Sequence, residues 1–321
     1  MQHRTCCAAA LIALAMARSG PAVAAETFPA RPIRIVTSEP TGGADFVARL
    51  IAQGITPTLG QQVVVENRGG GVVAGEVVAR AQPDGHTLLA YGNTLWLLPL
   101  MRAKVPYDPQ RDFAPITLAT RAPAVLVVHP GVNAKSVGEL VAHAKAHPGV
   151  LNYPSGAPGG ISHLAAELFK AMAGIDIVRV PFKGTAPALN ALLGGQVHVM
   201  FATAAAVMPQ VRSGRLRALA VTSAEPSPLV PGLPTVASAG LPGYESVAAF
   251  GIFAPAKTPP ALLKRLHQEI AACLDRPESR ERVHSVGTET IASTPAEFAA
   301  AIKAEVARTA KLIRDTGIRA D

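Results

Sequence analysis

Short runs rich in Val, Ile and Leu alternate along this chain with longer stretches in which apolar residues recur every three or four positions. That alternation predicts an α/β architecture rather than an all-α or all-β one. Residues 31–37 read as a strand, 38–44 as a loop, and the next stretch as a helix with Phe46, Val47, Leu50 and Ile51 on its apolar face. Residues 62–66 form the next expected strand, 69–75 a Gly-rich loop, 76–81 a short helix and 86–91 a strand re-entering the core. A second series opens with a strand at 124–129, and its helix is announced by Ser136 and Glu139 at capping-box spacing.

Residues 151–154 then lead through a Gly-rich turn into a helix expected to bury Leu164, Leu168, Phe169 and Met172. A strand at 177–182 precedes a helix capped by Thr185, with Pro187 in its first turn and Gly194 and Gly195 at its end. Strands follow at 197–201 and 216–222. Pro226, Pro228, Pro231, Pro234 and Pro242 mark a surface excursion, residues 247–254 a strand running between domains, and 259–274 and 295–316 two closing helices. The second of these is opened by the capping box of Thr294 and Glu297 and closed by Gly317. The expectation is a parallel, doubly wound pattern in two lobes, with crossovers near 120–124 and 247–253. Lobe 1 comprises residues 26–122 plus 251–321, and lobe 2 residues 123–250.

The first 25 residues are expected to be a secretory signal peptide. His3 and Arg4 give a basic start, residues 6–17 an apolar run too short to span a bilayer, and Ala22, Val23 and Ala24 a small-residue cleavage site. Its loss removes Cys6 and Cys7, leaves Cys273 alone and so permits no internal disulfide. It also removes Arg4 and Arg18 and no acid, so the formal charge falls from +8 to +6. Aromatics are 4% of the 321 residues and no basic cluster appears, which argues against a nucleic-acid partner. No nucleotide-binding glycine motif is present, as an exported chain without access to ATP or nicotinamide predicts. Neither cofactor nor metal is expected.

Several strand-to-helix junctions are rich in Gly and small hydroxyl residues: Ser38, Thr41, Gly42, Gly43 and Asp45; Gly92, Asn93 and Thr94; Ser155, Gly159, Gly160, Ser162 and His163; Lys183, Gly184, Thr185 and Ala186. Thr203 ends a further strand. At such junctions unpaired N–H groups and the helix dipole attract anions, and glycine lets a ligand approach the backbone. In open α/β sheets these loops meet in the crevice at the carboxyl ends of the strands. Together they predict a site for a small anion, and the net positive field gives that anion a reason to approach.

The chain resembles the tripartite tricarboxylate transporter substrate-binding receptors, the Bug family of periplasmic proteins. The resemblance rests on Phe28-Pro29-Ala30-Arg31-Pro32-Ile33, Val64-Val65-Glu66-Asn67-Arg68, Pro83-Asp84-Gly85-His86-Thr87-Leu88 and Val105-Pro106-Tyr107-Asp108-Pro109. It rests most of all on Ser162-His163-Leu164, on Val180-Pro181-Phe182-Lys183-Gly184-Thr185-Ala186-Pro187 and on Leu193-Gly194-Gly195-Gln196-Val197. It implies a type II periplasmic-binding-protein fold that closes on a small carboxylate and delivers it to a membrane permease of one large and one small subunit. The protein is then periplasmic, acts as a monomer and is not an enzyme. Within the resemblance, Ser38 replaces an aromatic common in the family, Thr41 the first Gly of a pair, and Ala202 the usual Asp, while residues 69–73 form a shortened loop.

Other readings of the same residues are weaker. His143 and His147 stand four apart on a helix, a metal-ligand spacing, but no third ligand is evident, and a solvated face accounts for them. Asp45 serves as a dipole-compensating residue or accepts a hydrogen bond from a ligand. His163 caps a helix or lines the cleft, with Glu167 one turn on exposed. A ligand-sensing receptor for a membrane signalling system remains an alternative. So, more weakly, does a secreted hydrolase using Ser155 or Ser162, neither of which lies in a G-x-S-x-G elbow.

Overall fold

The computed structural model describes residues 28–319 except 39, 41, 70, 71, 156–159 and 183. The expected signal peptide lies outside them. The elements run β1 (Ile33–Thr37), α1 (Gly43–Leu59), β2 (Val63–Asn67), α2 (Val73–Ala79), β3 (Thr87–Gly92), α3 (Thr94–Met101), β4 (Phe113–Val128), α4 (Val137–Ala146), β5 (Asn152–Ser155) and α5 (Ile161–Ala173). They continue β6 (Val178–Pro181), α6 (Thr185–Leu193), β7 (Val199–Thr203), α7 (Ala204–Arg212), β8 (Arg217–Val221), β9 (Val247–Pro255), α8 (Pro260–Asp275), α9 (Pro277–Ser285), β10 (Glu289–Thr290) and α10 (Pro295–Thr316).

The fold is α/β, and β4 runs through the sheets of both lobes, with β9 paired along its first half. In the first lobe the order is β10-β4-β9-β3-β1-β2, with β1 parallel to β2 and β3, and β9 antiparallel to β3 and β4. In the second, β4 continues and pairs antiparallel with β7 and β8. The parallel pair β5–β6 adjoins β7 through the His198 N–H, which donates to the Asn152 carbonyl at 3.1 Å. The sheets are therefore mixed, where the sequence pattern predicts parallel ones. The added strands are the ones that cross from the other lobe, and they arrive running the opposite way.

Each lobe buries apolar residues on both faces of its sheet. Ile35, Leu88 and Ile252 meet Val47, Ile51 and Leu266 on one face of the first lobe, and Leu89, Phe253 and Trp96 meet Phe298 on the other. Along the second half of β4 the side chains alternate: Leu126 and Val128 enter the core under α4 and α5, Val125 and Val127 the core under α6 and α7. This period-two division is what a strand buried on both faces requires. Leu168 packs against cores of both lobes, so α5 belongs to the joint as well as to its own lobe.

Several local expectations need correction. The strand expected at 124–129 is the second half of a 16-residue strand, because β4 starts at Phe113 and pairs with β9 as far as Pro123 before pairing with β7 from Ala124. Helix α6 has Gly184, not Thr185, at its N-cap and no side-chain cap. Met172 is 38% exposed, on the far side of α5 from the core. The Ser136 hydroxyl does accept from the Glu139 N–H at 3.1 Å, but the Glu139 carboxylate takes the N–H of Lys135 rather than that of Ser136, so only half of a capping box forms. The box at Thr294 and Glu297 is complete.

Glycine at 251 is required by a close approach in the middle of β9. A Cβ there would lie 2.2 Å from the ring of the buried Phe298 and 3.1 Å from the carbonyl oxygen of Thr117. Overpacking of this kind costs about 1–3 kcal/mol. Gly251→Ala is accordingly expected to lower the denaturation midpoint by that amount of stability, measured by chemical unfolding. An unchanged midpoint would show that Phe298 repacks freely.

Candidate functional site

Where the two lobes meet, a cavity of about 200 Å³ opens beside β9. Gly92, Asn93 and Thr94, at the start of α3, line it from the first lobe, and Gly160 and Ile161, at the start of α5, from the second. Ser246, Ala248 and Phe250 of the crossing segment form one wall, and Glu305, Arg308, Thr309 and Leu312 of α10 another. Neither α3 nor α5 has a side-chain cap. In α3 the first intrahelical bonds come from Trp96 and Leu97, and in α5 from His163 and Leu164. Both helices thus turn the positive ends of their dipoles toward one chamber, an arrangement that favours an anion.

Asn93 is committed to building this chamber. Its Oδ1 accepts from the Ala249 N–H, and its Nδ2 donates to the Val247 carbonyl at 3.1 Å and to a carboxylate oxygen of Glu305. The side chain thus continues, by one more rung, the β3–β9 ladder that ends at the Gly92↔Phe250 pair. The other oxygen of Glu305 accepts from Trp96 Nε1 at 2.9 Å. Burial pushes the Glu305 carboxyl above its ordinary range, against the lowering effect of those two donors. Arg308 pairs with Glu245 at 3.1 Å across the rim.

The remaining expected site residues are elsewhere. Ser38, Gly42, Gly43 and Asp45 sit at the end of β1 and the start of α1 and do not line the chamber. Gly43 faces it indirectly, since the Phe250 ring lies against its α-carbon. Asp45 is 4% exposed and is held by Asn67 Nδ2 at 2.7 Å and Arg49 Nε at 2.9 Å, so it fastens α1 to β2 instead of offering itself to a ligand. Ser155 is 1% exposed, and its hydroxyl accepts from Arg179 Nε at 2.6 Å. Ser162, His163, Gly184, Thr185, Ala186 and Thr203 lie outside the cavity wall, although the first two are on the helix that forms it. Thr41, Gly159 and Lys183 lie outside the described residues.

Glu167 is not exposed as expected. It is buried beneath the Tyr153 hydroxyl and takes Lys170 Nζ at 3.0 Å. His163, nearby and also buried, has its pKa lowered to about 4, first by loss of water and then by the positive charge of Arg179. The rings of His143 and His147 stand 4.7 Å apart, and among the described residues no group of three possible ligands comes together as a metal site. The sequence reading missed the α10 residues, Phe250 and Arg179. The one available signal was a Trp, a Glu and an Arg on otherwise amphipathic helices, and it does not specify which surfaces meet.

A profile of the tripartite tricarboxylate transporter family receptors matches residues 47–318. Protein BugT of Bordetella pertussis is 36% identical over 318 residues, which cover 97% of each chain. Among solved structures, Rpa4515 of R. palustris with adipate is 34% identical with a TM-score of 0.75, covering 91% of this chain and 99% of that one. MatC of Rhodopseudomonas palustris with bound malate is 33% identical with a TM-score of 0.71, covering 89% and 100%.

Two expectations follow from the site. A methyl group at position 43 would stand 2.3 Å from the Phe250 ring, so Gly43→Ala must displace that ring and reshape the chamber wall. The variant should lose about 1–3 kcal/mol of stability and several-fold in affinity for any acid the protein binds, both readable by calorimetry. The second concerns pH. His163 is neutral in the fold and protonates more readily when unfolded, so the unfolded state takes up the extra proton and stability falls as pH drops from 6.5 through about 4. His163→Gln should remove up to about 3 kcal/mol of that fall. Superimposable stability–pH curves for the two proteins would contradict this.

Proposed function

Because this chain belongs to the tripartite tricarboxylate transporter receptor family, we propose that it is a periplasmic solute receptor. In this reading it captures a small organic carboxylate between its lobes and hands it to a membrane permease of large and small subunits. The observation that carries the reading is the convergence of two helix N-termini without side-chain caps, those of α3 and α5, on one chamber from opposite lobes. A ligand held there touches both lobes, binds their closed arrangement more tightly and so shifts the population toward it. Gly92, Thr94 and Gly160 supply the backbone to the acid, while Asn93 keeps the chamber in shape.

The lobes are residues 26–122 with 251–321, and 123–250; the first 25 residues are removed on export, and the mature protein works as a monomer. Relatives of the same fold hold adipate and malate, which supports a carboxylate as the ligand class. Ser155, one of the two serines a hydrolase reading could use, is buried and bonded to Arg179, which supports a binding protein over that reading.

Thermal unfolding in a panel of mono-, di- and tricarboxylates tests this directly. At 100 times its dissociation constant a bound acid adds ~2.7 kcal/mol to stability, and X-ray scattering should show a smaller radius of gyration with the same acid. No stabilisation by any acid of the panel would contradict the receptor reading.

A further inference from the structure

The chamber wall suits one acid group and an apolar body. Leu97, Ile161, Leu164, Leu168, Phe250 and Leu312 give it an apolar side. Among the described lining residues the one cation is Arg308, already paired with Glu245, and a second carboxylate, Glu305, faces the same space. A tricarboxylate would bring three negative charges to a wall that holds two carboxylates and one neutralised guanidinium. Each acid group beyond the first would lose its water and gain no counter-charge from the described lining residues. The two helix N-termini supply partial positive charge worth about one half each, enough for a single carboxylate.

Resting on the receptor reading above, we propose that the ligand is a small monocarboxylate with an apolar body, its acid at the starts of α3 and α5 and its body among the leucines of α3, α5 and α10. The cavity has room for about seven water molecules at a water's liquid share of ~30 Å³, which is the scale of a short fatty acid or a single-ring aromatic acid. Each methylene moved from water into such a wall strengthens binding roughly fourfold, so selectivity for the body should be steep.

The probes are hexanoate, benzoate, malate, citrate and hexanamide, compared by isothermal titration. Hexanoate or benzoate binding at least tenfold more tightly than malate, citrate and the uncharged amide is the expected result. Leu168→Gln, which sets an amide among the leucines, and Ala248→Leu, which fills the chamber from β9, should each weaken the apolar acid at least tenfold. Their unfolding midpoints show that the proteins tested are folded. Malate or citrate binding more tightly than either monocarboxylate overturns the proposal and leaves the receptor reading standing. Binding of hexanoate unaffected by both variants overturns the placement of the body. Failure of every acid overturns the receptor reading itself.

Discussion

The antiparallel pairing of β4 with β9, from Phe113↔Pro255 to Pro123↔Val247, is the constraint on which the rest of the molecule depends. The first lobe's sheet needs both strands, and β4 runs on to pair with β7 and β8 in the second, so completing one sheet fixes the path of the chain into the other. Two side-chain clamps secure the crossing on opposite sides. Asn93 ties the end of β3 to the backbone of Val247 and Ala249 and to Glu305 on α10. Glu289 of β10 accepts from Arg121 Nε at 2.8 Å and from the Ser227 hydroxyl, joining the edge of one lobe to the surface excursion of the other. Glu289 and the Asn93–Glu305 contact are largely buried, so breaking either leaves a charged group without its partners.

The chamber is a by-product of that crossing. Strand β9 leaves one lobe at Val247 just where α3 and α5 begin, and α10 returns across both. What is left uncovered at the junction is the start of two helices and a set of leucines. In the proposed reading, anion recognition then falls to backbone dipoles, while the ionic side chains nearby are already used in holding the walls: Glu305 with Asn93 and Trp96, Arg308 with Glu245. In the same reading the overall positive charge would act at longer range, attracting an acid without specifying where it sits.

Much of the fold was legible in the sequence because its signals are local. The β-branched runs at 31–37 and 62–66, the complete capping box at Thr294 and the left-handed Gly317 each report on a few neighbouring residues, and each corresponds to an observed element. Of the residues lining the candidate chamber, Gly92 and Gly160 were among those the local pattern at their junctions had singled out. Asp45, Ser155 and Glu167 could not be read, since a carboxylate or hydroxyl in a first turn looks identical whether it awaits a ligand or bonds to Asn67, Arg179 or Tyr153 from a distant strand. The α10 wall was invisible for a similar reason: an amphipathic helix declares which face is apolar but not that Glu305 and Arg308 will meet residues more than 50 positions away. The first half of β4 was missed because prolines at 115 and 123 interrupt a run that the partner strand β9 nonetheless holds extended.

The central claim is that an acid is held by the starts of α3 and α5 in the chamber beside β9, and a crystal structure of the protein grown with benzoate tests it most directly. The carboxylate oxygens are predicted to lie within hydrogen-bonding distance of backbone N–H groups at the beginnings of those helices, with the ring against Leu164, Leu168 and Phe250. Benzoate bound at another surface, or held in this chamber by direct pairing with Arg308 after release of Glu245, would contradict the account.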